Sequence, residues 1–156
     1  MKHAAETLAY YLAFVVVGMT TASFGPGIPG FAAATGSTLA QVGALFVFHR
    51  IGYITGSLGG GKLVDTFRGN RVTGAVLFVV AAGLAAVSLA GSLALLLGSI
   101  MIIGFAQGTA EVGANTGIVR LHGEAAGPYM NGLHLAFGVG AMISPLVLAG
   151  AVKLAG

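Results

Sequence analysis

Arg50, Gln107, Glu111, Asn115 and His134 are side chains that can ionise or hydrogen-bond, yet they lie inside otherwise apolar runs. A charge at the centre of a membrane helix costs roughly 2.5 to 3.5 kcal/mol on insertion scales, so each such group is a candidate for ligand binding or ion coupling. Gln107, Glu111 and Asn115 recur every four residues and share one stripe of a helix. Two amides and a carboxylate in line can donate to and accept from the hydroxyls of a polyhydroxylated solute, and they serve equally as interhelical hydrogen bonds. Arg50 falls about 16 Å from the Gly61 end of its helix and Glu111 about 14 Å from the Arg120 end of its own, so the two can pair. Two readings follow: Glu111 carries a proton or binds a ligand hydroxyl with Arg50 tuning it, or the two form a static buried ion pair. His134 is expected about 9 Å into its helix, near the depth of Asn115, where it can bind, shuttle a proton or pack. His49 points about 100° away from Arg50, so only one faces a cavity squarely, and Arg50 is favoured.

These residues need long apolar helices to hold them. The chain has 156 residues, 56% hydrophobic and 7% charged, with 27 Gly and neither Cys nor Trp. That composition excludes a soluble domain and predicts a single all-α transmembrane domain over 1–156. Five runs are long enough to cross hydrocarbon, at 8–28, 38–60, 72–90, 93–119 and 128–154. Gly25-Pro26-Gly27-Ile28-Pro29-Gly30 is read as the end of the first helix, Ser37 or Thr38 as the cap of the second, and Gly91-Ser92 as a tight link. A cleaved leader is a competing reading of the N-terminus, but the first run is long for one. Gly52, Gly56 and Gly60, with Gly104/Gly108 and Gly113/Gly117, form ladders of small residues expected to pack helix on helix.

Lys2, Lys62, Arg68, Arg71 and Arg120 fall on one side if the spans alternate, which makes that side cytoplasmic and places the N-terminus inside. The net charge of +3 comes from span ends, so no nucleic-acid partner is expected. No nucleotide loop, metal cluster or nucleophile elbow appears, so neither enzyme activity nor a cofactor is expected.

Gly61, Leu63, Asp65, Gly69 and Arg71 resemble the Gly-x-Leu-x-Asp-(Arg/Lys)-x-Gly-Arg-(Arg/Lys) signature between the second and third helices of the major facilitator superfamily. Thr66 replaces a cation, and Arg68 adds a residue, a spacing similar to that of the sodium-dependent glucose transporter-like sugar branch. Phe24 to Gly30, Arg50-Ile51-Gly52-Tyr53, Glu111 to Thr116 and Met130 to Ala141 strengthen the resemblance, which covers nearly the whole chain. It implies the first five helices of a twelve-helix transporter whose halves rock about a midplane site. It adds Asn131 to the binding or coupling set. Gly61, Asp65, Gly69 and Arg71 become a cytoplasmic gate, in which a carboxylate at a helix end engages a neighbour in one state and releases it in another. The implied setting is a plasma (inner) membrane, the ligand a sugar or other small polar solute, and the coupling ion a proton or sodium. Five helices lack the second wall of the cavity, so a homodimer or a partner membrane subunit is expected. A non-transporting subunit and a piece of a longer transporter are the alternatives.

Overall fold

The computed structural model describes residues 3–67 and 69–155, and the side chains of 69–71, 152, 154 and 155 lie outside that description. All regular structure among the described residues is helical. The helices are α1 (Ala4–Thr35), a short α2 (Leu39–Gly43), α3 (Leu45–Thr66), α4 (Gly69–Ser88), α5 (Leu93–His122) and α6 (Ala126–Ala155), with a 3-10 turn at Gly123–Ala125. By length and apolarity, α1 and the stretch Leu93–Ala151 are able to cross a membrane, while the apolar part of α4 is shorter. The polarity pattern is that of a membrane protein: Leu58, Phe78, Met142 and Leu146 are exposed, whereas His49, Gln107 and Thr109 are buried. The chain forms two compact units, Met1–Gly27 with Ile118–Gly156, and Ile28–Gly117.

Two expected boundaries are corrected. The Gly25 to Gly30 run does not end the first helix, because α1 continues through both prolines to Thr35. Pro26 and Pro29 withhold donors from the Ala22 and Gly25 carbonyls, but a membrane helix tolerates such breaks when nearby groups compensate. The true stop is Gly36. At φ 63° it adopts the left-handed conformation that glycine tolerates best. The Gly36 and Ser37 amides then bond back to the Ala33 and Ala32 carbonyls at 3.5 and 3.0 Å, a Schellman ending.

The second correction concerns the charged stretch after Gly59, read as a gap between apolar runs. Helix α3 continues through it to Thr66, and α4 begins at Gly69. Lys62 and Asp65 are exposed on that last turn and a half, so the helix projects beyond its apolar part. The run expected over 38–60 is divided between α2 and α3 at Ala44, and two helix starts carry side-chain caps. Thr38 caps α2 through a reciprocal box with Gln41, at 3.2 Å to the Gln41 amide and 2.9 Å from its own amide to the Gln41 side chain. Ser92 accepts from the Leu95 amide at 3.4 Å as α5 begins. Thr38→Ala is expected to cost about 1 kcal/mol of stability. The check is the thermal midpoint of the purified protein in detergent, with Thr38→Ser close to the parent.

Within Ile28–Gly117, α3 and α5 pack backbone to backbone. A Cβ at Gly52 or Gly56 would be built onto the Met101 or Phe105 carbonyl oxygen, and one at Gly104 or Gly108 onto the carbonyls of His49 or Tyr53. Thr109 Oγ1 reaches across this contact to the Gly56 carbonyl at 3.1 Å. Gly113 was expected to do likewise but is looser, since a Cβ there would first meet Val64 Cγ2 at an ordinary 3.4 Å. Within the other unit, Gly18 and Gly140 let α1 and α6 approach in the same way, against the Phe137 and Val15 carbonyls.

Candidate functional site

The Gly contacts bring two polar rungs together between α3 and α5. His49 and Tyr53 lie four residues apart on α3, and Gln107 and Glu111 four apart on α5, so each pair occupies one helical face. His49 Nε2 lies 2.9 Å from Gln107 Oε1, and as that oxygen only accepts, the imidazole donates. One turn along, the Tyr53 hydroxyl donates to Glu111 Oε2. Both rungs join residues 58 apart in sequence, which requires the two helices to run parallel. His49 is 5% and Gln107 1% exposed, while Tyr53 and Glu111 are half-buried.

Arg50 is exposed, and its guanidinium carbon sits 5.7 Å from the centroid of the Tyr53 ring, a cation–π distance. Among the described residues Arg50 and Glu111 do not form the direct ion pair that their matched depths allow. Tyr53 stands between them instead, offering its face to the cation and its hydroxyl to the carboxylate. Asn115, the third residue of the α5 stripe, has a buried Oδ1 with no hydrogen-bond partner among the described residues. A buried acceptor left in this way is costly unless a ligand or water supplies a donor.

The remaining candidates lie elsewhere. His134 and Asn131 are exposed on α6, and the His134 ring meets Phe14 edge-on at 6.4 Å. Gly61 faces open space, and Asp65 is exposed in the last turn of α3. The side chains of Gly69 and Arg71, at the start of α4, and the whole of Arg68 lie outside the described residues.

Sequence reasoning missed His49 and Tyr53 as partners of the α5 stripe, although a signal was present. His49, Gly52, Tyr53 and Gly56 follow the i, i+3, i+4, i+7 spacing of one helical face. Polar residues on the same face as a ladder of close-packing glycines must enter the interface those glycines make.

Among curated proteins, the chain is 31% identical over 137 residues to sodium-dependent glucose transporter 1A of Mus musculus, covering 88% of this chain and 32% of that protein. Its homologues are sodium-dependent glucose transporters and major facilitator superfamily domain-containing proteins, over about nine-tenths of this chain. Sodium-dependent glucose transporter 1 of Rattus norvegicus is 30% identical over 90% of this chain and 29% of its own length. Major facilitator superfamily domain-containing protein 4A of Danio rerio is 28% identical over 91% of this chain and 27% of its own. The chain spans about a third or less of the curated relatives it matches. No family model matches the chain, and no solved structure does.

Proposed function

We propose that this chain forms one wall of a secondary transporter for a sugar or another small polar solute. It lies in a plasma (inner) membrane with its N-terminus cytoplasmic and crosses five times, through α1, α2 with α3, α4, α5 and α6. Alternating access requires a facing half, supplied by a second copy or by a partner membrane subunit. The observation that carries this reading is Glu111, an ionisable group held by the Tyr53 hydroxyl on a glycine-packed helix pair. A carboxylate so placed is a natural seat for a coupling proton or sodium ion. Asn115, with its unpaired acceptor on the same stripe, suits a solute hydroxyl. Arg50, Gln107, Asn131 and His134 extend the binding or coupling set, and Gly61, Asp65, Gly69 and Arg71 form the cytoplasmic gate.

The relatives, named as sodium-dependent glucose transporters, support the solute class. Their greater length supports a second reading, in which the chain is a piece of a longer transporter or a non-transporting subunit of a complex. Native purification with mass determination, followed by uptake of labelled glucose into proteoliposomes under imposed sodium and proton gradients, tests these readings. The transporter-wall reading expects a dimer or hetero-assembly with gradient-dependent uptake. A solitary chain without uptake under either gradient overturns it.

A further inference from the structure

A cleft of about 450 Å³ opens in the unit made of Met1–Gly27 and Ile118–Gly156, far along the chain from the α3–α5 rungs. It is lined by His3, Thr7, Leu8 and Tyr11 at the start of α1 and by His122 and Tyr129 on either side of the 3-10 turn. Its size suits a small ligand or a headgroup. Every polar side chain lining it can donate a hydrogen bond, and no carboxylate lines it.

The hydrogen bonds already made show which donors are free. The Thr7 hydroxyl, 6% exposed, donates to the His3 carbonyl at 2.9 Å. Its oxygen can therefore only accept across the 2.8 Å contact with His122 Nε2, which fixes the proton on that nitrogen. His122 is further held by stacking on Tyr129, with centroids 3.5 Å apart and planes at 12°. The His3 ring meets His122 edge-on at 6.3 Å, and the Tyr11 hydroxyl donates to the Tyr129 carbonyl at 3.2 Å. Among the described residues, the Tyr129 hydroxyl and the His3 ring nitrogens make no hydrogen bond. Two unspent donors thus flank a cleft whose walls are fixed by the others. Leu8, 56% exposed, supplies an apolar surface beside them.

We propose that this cleft binds a phosphate group, with the Tyr129 hydroxyl and His3 imidazole as donors and Leu8 against the apolar part of whatever carries it. The phosphate comes either from a phospholipid headgroup or from solution. The site is independent of the transport reading, because none of its residues belongs to the proposed solute path.

The chain lacks Trp, so tyrosine emission is readable, and Tyr11 and Tyr129 are two of its four tyrosines. The full chain, purified in a phosphate-free maltoside detergent, is titrated with inorganic phosphate and, separately, with dihexanoyl phosphatidylglycerol. Sodium chloride at matched ionic strength is the control. A saturable change with the phospholipid alone supports a headgroup site, and a change with both probes supports phosphate itself. Tyr129→Phe keeps the ring stack and removes one donor, and His3→Ala removes the other. Each is expected to weaken binding roughly tenfold, as loss of a hydrogen bond to a charged group does. No response to either probe, a chloride response of equal size, or parent-like binding in both variants overturns the proposal.

Discussion

Gly56→Val is expected to yield no monodisperse folded protein, whereas Gly59→Ala, three residues further on, is expected to behave as the parent. At Gly56 a Cβ would be built onto the Phe105 carbonyl oxygen and near its Cα, which are backbone atoms that cannot turn aside. At Gly59 nothing lies within 4 Å. To admit the valine, α3 and α5 must separate, and separation at one rung strains the others. Gly52 against Met101, Gly104 against His49 and Gly108 against Tyr53 are equally close, so the helices cannot part locally. The Thr109 bond to the Gly56 carbonyl is lost with them, as are the His49–Gln107 and Tyr53–Glu111 rungs. Overpacking a core by a few methyl groups costs about 1–3 kcal/mol where side chains can adjust. A clash with backbone exceeds that range and approaches the whole stability of a small domain. Size-exclusion profiles and thermal aggregation midpoints in detergent separate the outcomes. Equal profiles for Gly56→Val and Gly59→Ala would overturn the backbone contact between α3 and α5.

The same glycines explain what the sequence made legible. Gly52, Gly56 and Gly60 announce a packing face because small residues at four-residue spacing have few other uses in an apolar helix. A cap at Ser37 or Thr38 was equally plain, and the structure gives it to Thr38 through a reciprocal box with Gln41. Where the reading failed, a local rule met a membrane context. Gly-Pro runs end helices in water, where freed carbonyls find solvent and the chain gains by turning. In α1 the apolar surroundings, which offer an exposed backbone no water, favour continuing to Gly36. The charged run after Gly59 looked like a loop because charge was taken to mark the end of a helix, but it marks only the end of the helix's apolar part. A helix of 22 residues is about 33 Å long and can carry a charged last turn. The α1–α6 contact was unreadable for another reason. Gly18 stands alone rather than in a ladder, and its counterpart Gly140 lies on a helix more than a hundred residues away. Tyr53 was missed because Arg50 and Glu111 were weighed as a pair of charges, which left no reason to look for a neutral side chain between them.

That intermediary makes the site testable. Glu111→Gln retains an oxygen for the Tyr53 hydroxyl and nearly the same volume, so the fold is expected to survive with a thermal midpoint close to the parent. It removes the negative charge, and gradient-driven uptake by the native assembly is expected to fall to background. Tyr53→Phe is the complementary change. It keeps the ring under Arg50 but leaves the Glu111 carboxylate without its donor, a loss of about 1–3 kcal/mol for a partly buried charged group. If Glu111 is a coupling group, Tyr53→Phe retains uptake with an altered ion dependence, and Glu111→Gln abolishes gradient-driven uptake at unchanged stability. If the cluster is only a buried structural contact, both variants transport like the parent, and Tyr53→Phe lowers the thermal midpoint alone. The double variant tests the contact that both readings assume. Glu111→Gln removes the charge that Tyr53 was needed to satisfy, so adding Tyr53→Phe should cost less stability than it does alone. An additive loss of stability would mean that the phenol and the carboxylate do not act on each other, and the Tyr53 bridge between Arg50 and Glu111 would have to be abandoned.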